Sequence, residues 1–104
     1  MVGNYYKATR NKNCPEDRII RSLEECKSAS SELKTSFQEL THLQKGNPKR
    51  YPAGCFWKGV NSDKSSFNPI IDTTKTLSLT QNIAVGGICK SAGKFVNGVY
   101  FAIL

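Results

Sequence analysis

The clearest periodicity of apolar positions in the chain is that of one amphipathic helix. A capping box, Ser22-Leu23-Glu24-Glu25, marks its start, because the Ser22 hydroxyl can accept a hydrogen bond from the N–H of Glu25. Gly46-Asn47-Pro48 supplies a stop and a turn. Between these signals apolar residues recur at steps of three and four, at Cys26, Ala29, Leu33, Phe37 and Leu40. We predict a helix over residues 23–42, with a break near Thr35-Ser36 as an alternative, and with Cys26 on its buried face.

Shorter apolar segments separated by turn residues predict strands. Cys55 to Lys58 has the composition of a short strand, and Ser65 to Asn68 that of its return strand. Pro69 then ends the pairing, since proline has no N–H to donate. Near the C-terminus, Asn97-Gly98 lies between apolar residues and suits the tight turn of a hairpin. The pattern therefore predicts an α+β fold with one amphipathic helix packed on a short antiparallel β-sheet.

The same pattern divides the chain into three parts. Residues 1–13 are polar and basic, and we expect an arm that is ordered only if something holds it, with Tyr5 and Tyr6 as candidate anchors. Residues 14–90 contain all the cysteines and form the predicted cysteine-rich module. Residues 91–104 end in six apolar residues, which suit a hairpin or a docking tail.

Four cysteines indicate that this domain is cross-linked. They lie at Cys14, Cys26, Cys55 and Cys89. This spacing lacks the close pairs of most zinc sites and the C-x-x-C of thioredoxin-like sites, so we expect no metal and no cofactor. An even cysteine count favours two disulfides, which persist in oxidising compartments. We predict a small disulfide-stapled domain with an extracytoplasmic location, either as a mature form or as part of a longer precursor, because the N-terminus lacks the apolar segment of a signal peptide.

The net positive charge says less about the protein's partners than its size suggests. The formal charge is +7, but it is not concentrated: residues 1–50 carry ten basic and six acidic groups, and residues 51–104 carry five and two. The nearest approach to a cluster is Lys45, Lys49 and Arg50, and we take Lys49 and Arg50 as candidate partner-contacting residues. We expect no nucleic-acid partner.

Residues for catalysis are scarce. The sequence has no G-x-S-x-G motif and one histidine, His42, which the pattern places near the helix end. The acidic pairs Glu16-Asp17 and Glu24-Glu25 are typical of helix starts, where carboxylates complement the helix dipole. We predict that the protein is not an enzyme and has no catalytic residues.

Aromatic residues are the remaining candidates for binding. Phe56 and Trp57 should point to opposite faces of their strand. If Phe56 is in the core, an exposed Trp57 could stack on a sugar ring or anchor a protein interface; the alternative is that Trp57 covers the second face of a small core. Four further aromatic residues near the chain ends could form an apolar patch for a partner: Tyr5, Tyr6, Tyr100 and Phe101.

Taken in order, these elements resemble a small four-cysteine module that recurs in proteins of algae and other protists. The motif reads I-x-S-x-x-E-C-x-x-A, Y-P-x-G-C-F, F-N and I-C-K. The matching residues are Cys14, Ile20, Ser22, Glu25, Cys26, Ala29, Tyr51, Pro52, Gly54, Cys55, Phe56, Phe67, Asn68, Ile88, Cys89 and Lys90. The resemblance implies a fold class and disulfides but no established activity. This chain differs in its longer helix region, in the stretch between Asn68 and Ile88, and in its added C-terminal hairpin.

The predicted elements favour one of the three possible cysteine pairings. Cys26 on the inner face of the helix and Cys55 at the start of the central strand would join helix to sheet, and Cys14–Cys89 would then bracket the module. The sequence alone leaves the other two pairings open.

We expect a non-catalytic structural, linker or protein-interaction module in an extracytoplasmic assembly, with a larger protein assembly as its partner. Two alternatives stay open. The first is a peripheral subunit of an algal photosynthetic membrane complex, on the lumenal side of the thylakoid. The second is a glycan-binding module, with an exposed Trp57 beside Asn61 or Asn68.

Overall fold

The computed structural model describes residues 3–39, 48–77, 84–91, 93–96 and 99–102; for the last two ranges it describes the backbone. These residues contain one helix, α1 (Leu23–Glu32), and seven strands. The strands are β1 (Tyr5–Lys7), β2 (Ser36–Phe37), β3 (Gly54–Lys58), β4 (Lys64–Asn68), β5 (Val85–Lys90), β6 (Gly93–Val96) and β7 (Val99–Ala102). Short 3-10 turns lie at Glu16–Arg18, Pro48–Arg50 and Thr73–Lys75. Within the described residues no helix is long and apolar enough to cross a bilayer.

Five strands form one sheet in the order β1-β5-β3-β4-β2. The pairs β1–β5, β5–β3 and β3–β4 are antiparallel, but β2 runs parallel to β4, so the sheet is mixed rather than purely antiparallel as predicted. The parallel pair arises because both strands enter the sheet at the same end. Ser36 pairs with Lys64, and the N–H of Ser36 donates to the carbonyl of Asp63 at 2.8 Å.

Helix α1 begins where the capping box predicts but ends at Glu32, ten residues before the predicted end. The Ser22 hydroxyl accepts from the N–H of Glu25 at 3.1 Å. At the other end Lys34 adopts a positive φ of 59°, which reverses the chain. Thr35 then returns a backbone hydrogen bond to the carbonyl of Ser30, at 2.9 Å. The alternative break near Thr35-Ser36 is therefore close to the observed end.

Phe37 extends the apolar stripe of α1 in sequence but lies in β2 and packs against the same core from the sheet. Leu40 and His42 lie outside the described residues. The apolar residues keep their helical spacing in the sequence past the end of α1, because the helix and the strand after it both supply side chains to one core.

Alternation along the strands gives the sheet two buried faces. The helix face carries Cys55, Trp57 and Ile88, and these pack with Ile20 and with Cys26 and Ala29 of α1. The opposite face carries Phe56, Val85 and Cys89; there Phe56 and Val85 pack with Tyr51, and Cys89 packs with Cys14 and Ile19. The core therefore has two layers, one on each side of β3 and β5.

The described part of the predicted N-terminal arm is paired with the sheet. Tyr6 pairs with Cys89 through β1, and the N–H of Ala8 donates to the carbonyl of Gly87 at 2.8 Å. At the C-terminus β6 and β7 form a separate antiparallel hairpin in which Val96 pairs with Val99. Its Asn97-Gly98 turn lies outside the described residues.

The start of β3 depends on a glycine. Gly54 has a φ of +69°, and a Cβ there would lie 3.0 Å from Cγ2 of Ile19 and closer still to the carbonyl oxygen of Ile20. Both are parts of the segment that crosses the end of the sheet, where Ile19 forms an isolated bridge with Cys89. The segment can pack this closely only because residue 54 has no side chain.

We expect Gly54→Ala to lower the free energy of unfolding by about 3 kcal/mol, because alanine meets both a left-handed backbone and a fixed carbonyl. Denaturant unfolding followed by Trp57 fluorescence measures this loss. Gly3→Ala is the matched control: its Cβ would meet the Glu32 carboxylate at 3.2 Å, and that side chain can move. Equal stability of the two variants would contradict the close packing.

Candidate functional site

All four cysteines are consumed in two buried disulfides. Cys26–Cys55 joins α1 to β3 on the helix face, and Cys14–Cys89 joins the segment before α1 to β5 on the opposite face. Their Cα–Cα distances are 5.2 Å and 5.5 Å respectively. These are the pairs that the sequence analysis favours. None of the four cysteines therefore has a free thiol.

The disulfides close long loops, which is where cross-links constrain the unfolded chain most. The sequence separations are 75 residues for Cys14–Cys89 and 29 for Cys26–Cys55. In the chain-entropy model these correspond to about 4.5 and about 3.6 kcal/mol of stabilisation. Over the described residues, no group of three His, Cys, Asp or Glu side chains is placed to hold a metal ion.

Trp57 is buried, which corrects the prediction of an exposed binding residue. Its side chain is 7% exposed, and its indole N–H donates to the carbonyl of Ala8 at 2.7 Å. The ring lies over Gly86, where an added Cβ would approach within 2.5 Å of the indole nitrogen. The alternative in which Trp57 covers the second face of the core is the correct one. Ala8 belongs to a segment that bonds along β5, since the N–H of Asn11 donates to the carbonyl of Val85 and the N–H of Gly87 to the carbonyl of Lys12.

Asn68 is also internal. It is fully buried, its amide donates to the carbonyl of Pro52 at 3.1 Å, and its side-chain oxygen accepts from the N–H of Ile70 at 3.0 Å. The glycan hypothesis depended on an exposed Trp57 beside Asn61 or Asn68. Two of those three side chains now have structural roles, so they are not available to a sugar on the surface.

Three hydroxyl groups form a chain between α1 and the sheet. Thr35 Oγ1 donates to Ser65 Oγ at 2.7 Å, Ser65 Oγ donates to Ser30 Oγ at 2.7 Å, and Ser30 Oγ donates to the carbonyl of Cys26 at 2.8 Å. Ser30 and Ser65 are 1% and 0% exposed. Each proton thus has an acceptor, which is what burial of hydroxyls requires. This row of hydroxyl groups holds the helix to β4.

The tyrosines of β1 lie half-buried on opposite faces of the edge strand. Tyr5 packs beside the helix-face core, and its hydroxyl donates to the Glu25 carboxylate at 3.2 Å. Burial, followed by the charge and hydrogen bond of Glu25 and the charge of Glu32, raises the pKa of the Tyr5 phenol. Tyr6 packs on the other face and accepts from the Arg18 guanidinium at 3.5 Å. Both rings anchor the strand and keep only part of their surface for a partner.

The other proposed contact residues are more scattered. Lys49 and Arg50 are exposed in the 3-10 turn Pro48–Arg50, which precedes the buried Tyr51. Tyr100 and Phe101 belong to β7 by their backbone, and their side chains lie outside the described residues. The described contacts do not bring these residues together with Tyr5 and Tyr6 in one patch.

The sequence pattern predicts a turn between the strand that ends at Lys58 and the return strand that begins at Ser65, and the turn between β3 and β4 lies there. Within this turn the sequence analysis named Asn61 and not Val60. Val60 at this turn is 96% exposed. The N–H of Ser62 donates to the carbonyl of Gly59 at 2.9 Å, and the N–H of Gly59 donates to the carbonyl of Ala84 at 2.9 Å. The Lys7 ammonium donates to the backbone carbonyl and the hydroxyl of Ser62, both at 2.9 Å. The turn is thus tied to two neighbouring segments while it presents an apolar side chain to solvent.

Comparisons with known proteins add no relative. No family model, no curated protein and no solved structure matches the chain. The resemblance to the four-cysteine module stays a prediction from the sequence.

We expect Ser65→Ala to lower the free energy of unfolding by about 1–2 kcal/mol, because Ser30 loses a donor and Thr35 an acceptor in a buried site. Ser28→Ala, on the exposed side of α1, is the control and should change stability by less than about 0.5 kcal/mol. Urea titration of both variants provides the comparison. A Ser65→Ala variant as stable as the parent would mean that the hydroxyl chain contributes nothing to holding α1.

Proposed function

We propose that this protein is a non-catalytic structural or linker module that contacts larger protein partners in an extracytoplasmic assembly. The observation that carries the proposal is the use of its reactive side chains. Both buried disulfides, the hydrogen-bonded Trp57 and the closed hydroxyl chain serve the fold itself. A scaffold built in this way suits a part that must keep its shape while others bind it.

Two buried disulfides are compatible with an oxidising location such as the cell exterior or a lumen. The narrower alternative, a peripheral lumenal subunit of an algal photosynthetic membrane complex, is one assembly of this kind. The glycan alternative has less support, because Trp57 and Asn68 lie inside the fold.

On this proposal, partners contact side chains that remain exposed or partly exposed in the folded protein. The half-exposed rings of Tyr5 and Tyr6 on edge strand β1 would supply apolar area, and the exposed Lys49 and Arg50 would assist encounter with an acidic partner. Strand β7, with Tyr100 and Phe101 in its sequence, would add a further contact.

Gentle extraction from the native source followed by size-exclusion chromatography tests this role. We expect the chain to elute with larger proteins rather than at its own mass of 11.5 kDa. The intact mass after separation should rise by four hydrogens on reduction, two for each disulfide.

Repeating the chromatography with a reducing agent gives a second test of this role. Reducing agent should release the chain from its partners, because the free energy of unfolding falls when loops of 75 and 29 residues are opened. A chain that elutes alone before reduction, or that carries four free thiols, would overturn the proposed role.

A further inference from the structure

Strands β6 and β7 form a sheet of their own beyond the end of the five-stranded sheet. Strand β5 ends at Lys90, and β6 begins at Gly93. Within the described part of the chain, β6 and β7 pair with each other and with no strand of the five-stranded sheet. A two-stranded hairpin is marginally stable on its own in water, and independent stability usually takes three or more strands. The hairpin would therefore gain stability from a further strand at one of its edges.

The register of the hairpin determines which backbone groups lie on its outer edges. Val96 pairs with Val99, so two residues connect the strands. In such a hairpin the pair beside the turn exchanges both hydrogen bonds, and non-hydrogen-bonded and hydrogen-bonded pairs then alternate away from it. Tyr100 and Ala102 belong to the non-hydrogen-bonded pairs. Their N–H and C=O groups therefore lie on the outer edge of β7.

The two edges of the hairpin differ in the features that keep strands from pairing with another chain. Strand β6 contains Gly93 and Lys94. Lysine on an edge strand opposes pairing with another chain, and glycine weakens a strand. Strand β7 has the sequence Val-Tyr-Phe-Ala and contains no charged residue, proline or glycine. The edge of β7 is therefore the better suited of the two to a further strand.

We propose that the outer edge of β7 pairs with β7 of a second copy of this chain, which gives a four-stranded antiparallel sheet across a two-fold axis. When Tyr100 of each copy pairs with Ala102 of the other, the outward N–H and C=O groups of both strands form four hydrogen bonds. Phe101 then pairs with Phe101 of the second copy at the axis. This inference goes beyond the proposed function, because a dimer would carry each partner-contacting surface twice.

Charge and symmetry favour a second copy over a strand from another protein. The basic surface of this chain would select an acidic partner, but an uncharged strand offers such a partner no complementary charge. Two copies of a chain with a formal charge of +7 repel each other, so they associate best where charge is least. Residues 91–104 contain one charged side chain, Lys94, and it belongs to β6. Identical antiparallel strands also match each other's donors and acceptors, so the pair closes as a dimer.

Sedimentation velocity of the purified, disulfide-intact chain tests the proposal. We expect the mass to rise from 11.5 kDa towards twice that value as the protein concentration is raised. Added salt should strengthen the association, because it screens the repulsion between two basic chains. A single species of 11.5 kDa at every concentration up to about 1 mM would overturn the inference and leave the edge of β7 to a different protein.

Two proline variants distinguish the edges of the hairpin. Ala102→Pro removes an outward N–H of β7 and leaves the hydrogen bonds between β6 and β7 intact. Each dimer then loses two hydrogen bonds, so association should weaken about thirtyfold. Gly93→Pro is the matched control, because Gly93 pairs with Ala102 and its N–H lies on the outer edge of β6. Equal effects of the two variants on association would contradict pairing through β7.

Cysteine cross-linking tests the register independently of any loss of stability. A non-hydrogen-bonded antiparallel pair has a Cα–Cα distance of about 4.5 Å, which a disulfide can span. Phe101→Cys should therefore give a covalent dimer under mild oxidation, seen on a non-reducing gel. Val99→Cys should not, because position 99 lies opposite position 103 of the second copy. The inference fails if Phe101→Cys gives no covalent dimer, or if both variants give the same amount.

The dimer and the structural role can fail separately. The role is tested on material from the native source, and the dimer on the purified chain alone. A chain that is monomeric when pure but elutes with larger proteins from its source keeps the structural role and loses the dimer. A chain that dimerises but elutes from its source with no other protein keeps the dimer and overturns the role in an assembly.

Discussion

Two disulfides on opposite faces of one sheet are the constraint on which the rest of the structure depends. Cys55 on β3 holds α1 against one face, and Cys89 on β5 holds the segment of Cys14 against the other. A chain of 104 residues buries only about two-thirds of its unfolded surface, so its core gives a thin margin of stability. Cross-links through adjacent central strands fix both layers at once.

The layers meet at the end of the sheet where Ile19 and Ile20 cross it. Ile19 packs with the Cys14–Cys89 layer and Ile20 with the Cys26–Cys55 layer. Gly54 allows this crossing because a side chain at that position would overlap the Ile20 carbonyl. The buried polar groups find their hydrogen-bond partners within the fold. Asn68 bonds to nearby backbone, and the hydroxyls of Thr35, Ser65 and Ser30 bond to one another and to the carbonyl of Cys26.

Local signals in the sequence predicted local structure well. The capping box located the start of α1, and the apolar stripe placed Cys26 on its buried face. The predicted helix end at residue 42 was wrong, because Phe37 continues the helical spacing although it reaches the core from β2; the alternative break near Thr35-Ser36 was close to the observed end. The parallel pairing of β2 was missed for a related reason: it depends on the reversal at Lys34, whose positive φ has no marker such as glycine.

Features that depend on distant residues could not be read from the sequence. The indole of Trp57 is held by the carbonyl of Ala8, which lies 49 positions earlier in the chain. What the sequence did contain was the turn between β3 and β4, which the strand pattern located.

Peptide mapping of the unreduced protein tests the central claim most directly. Proteolysis at low pH, where disulfides do not exchange, followed by mass spectrometry, should give one linked peptide pair containing Cys14 and Cys89 and another containing Cys26 and Cys55. Pairing of Cys14 with Cys26 or with Cys55, or free thiols at any of the four positions, would contradict a sheet clamped on both faces.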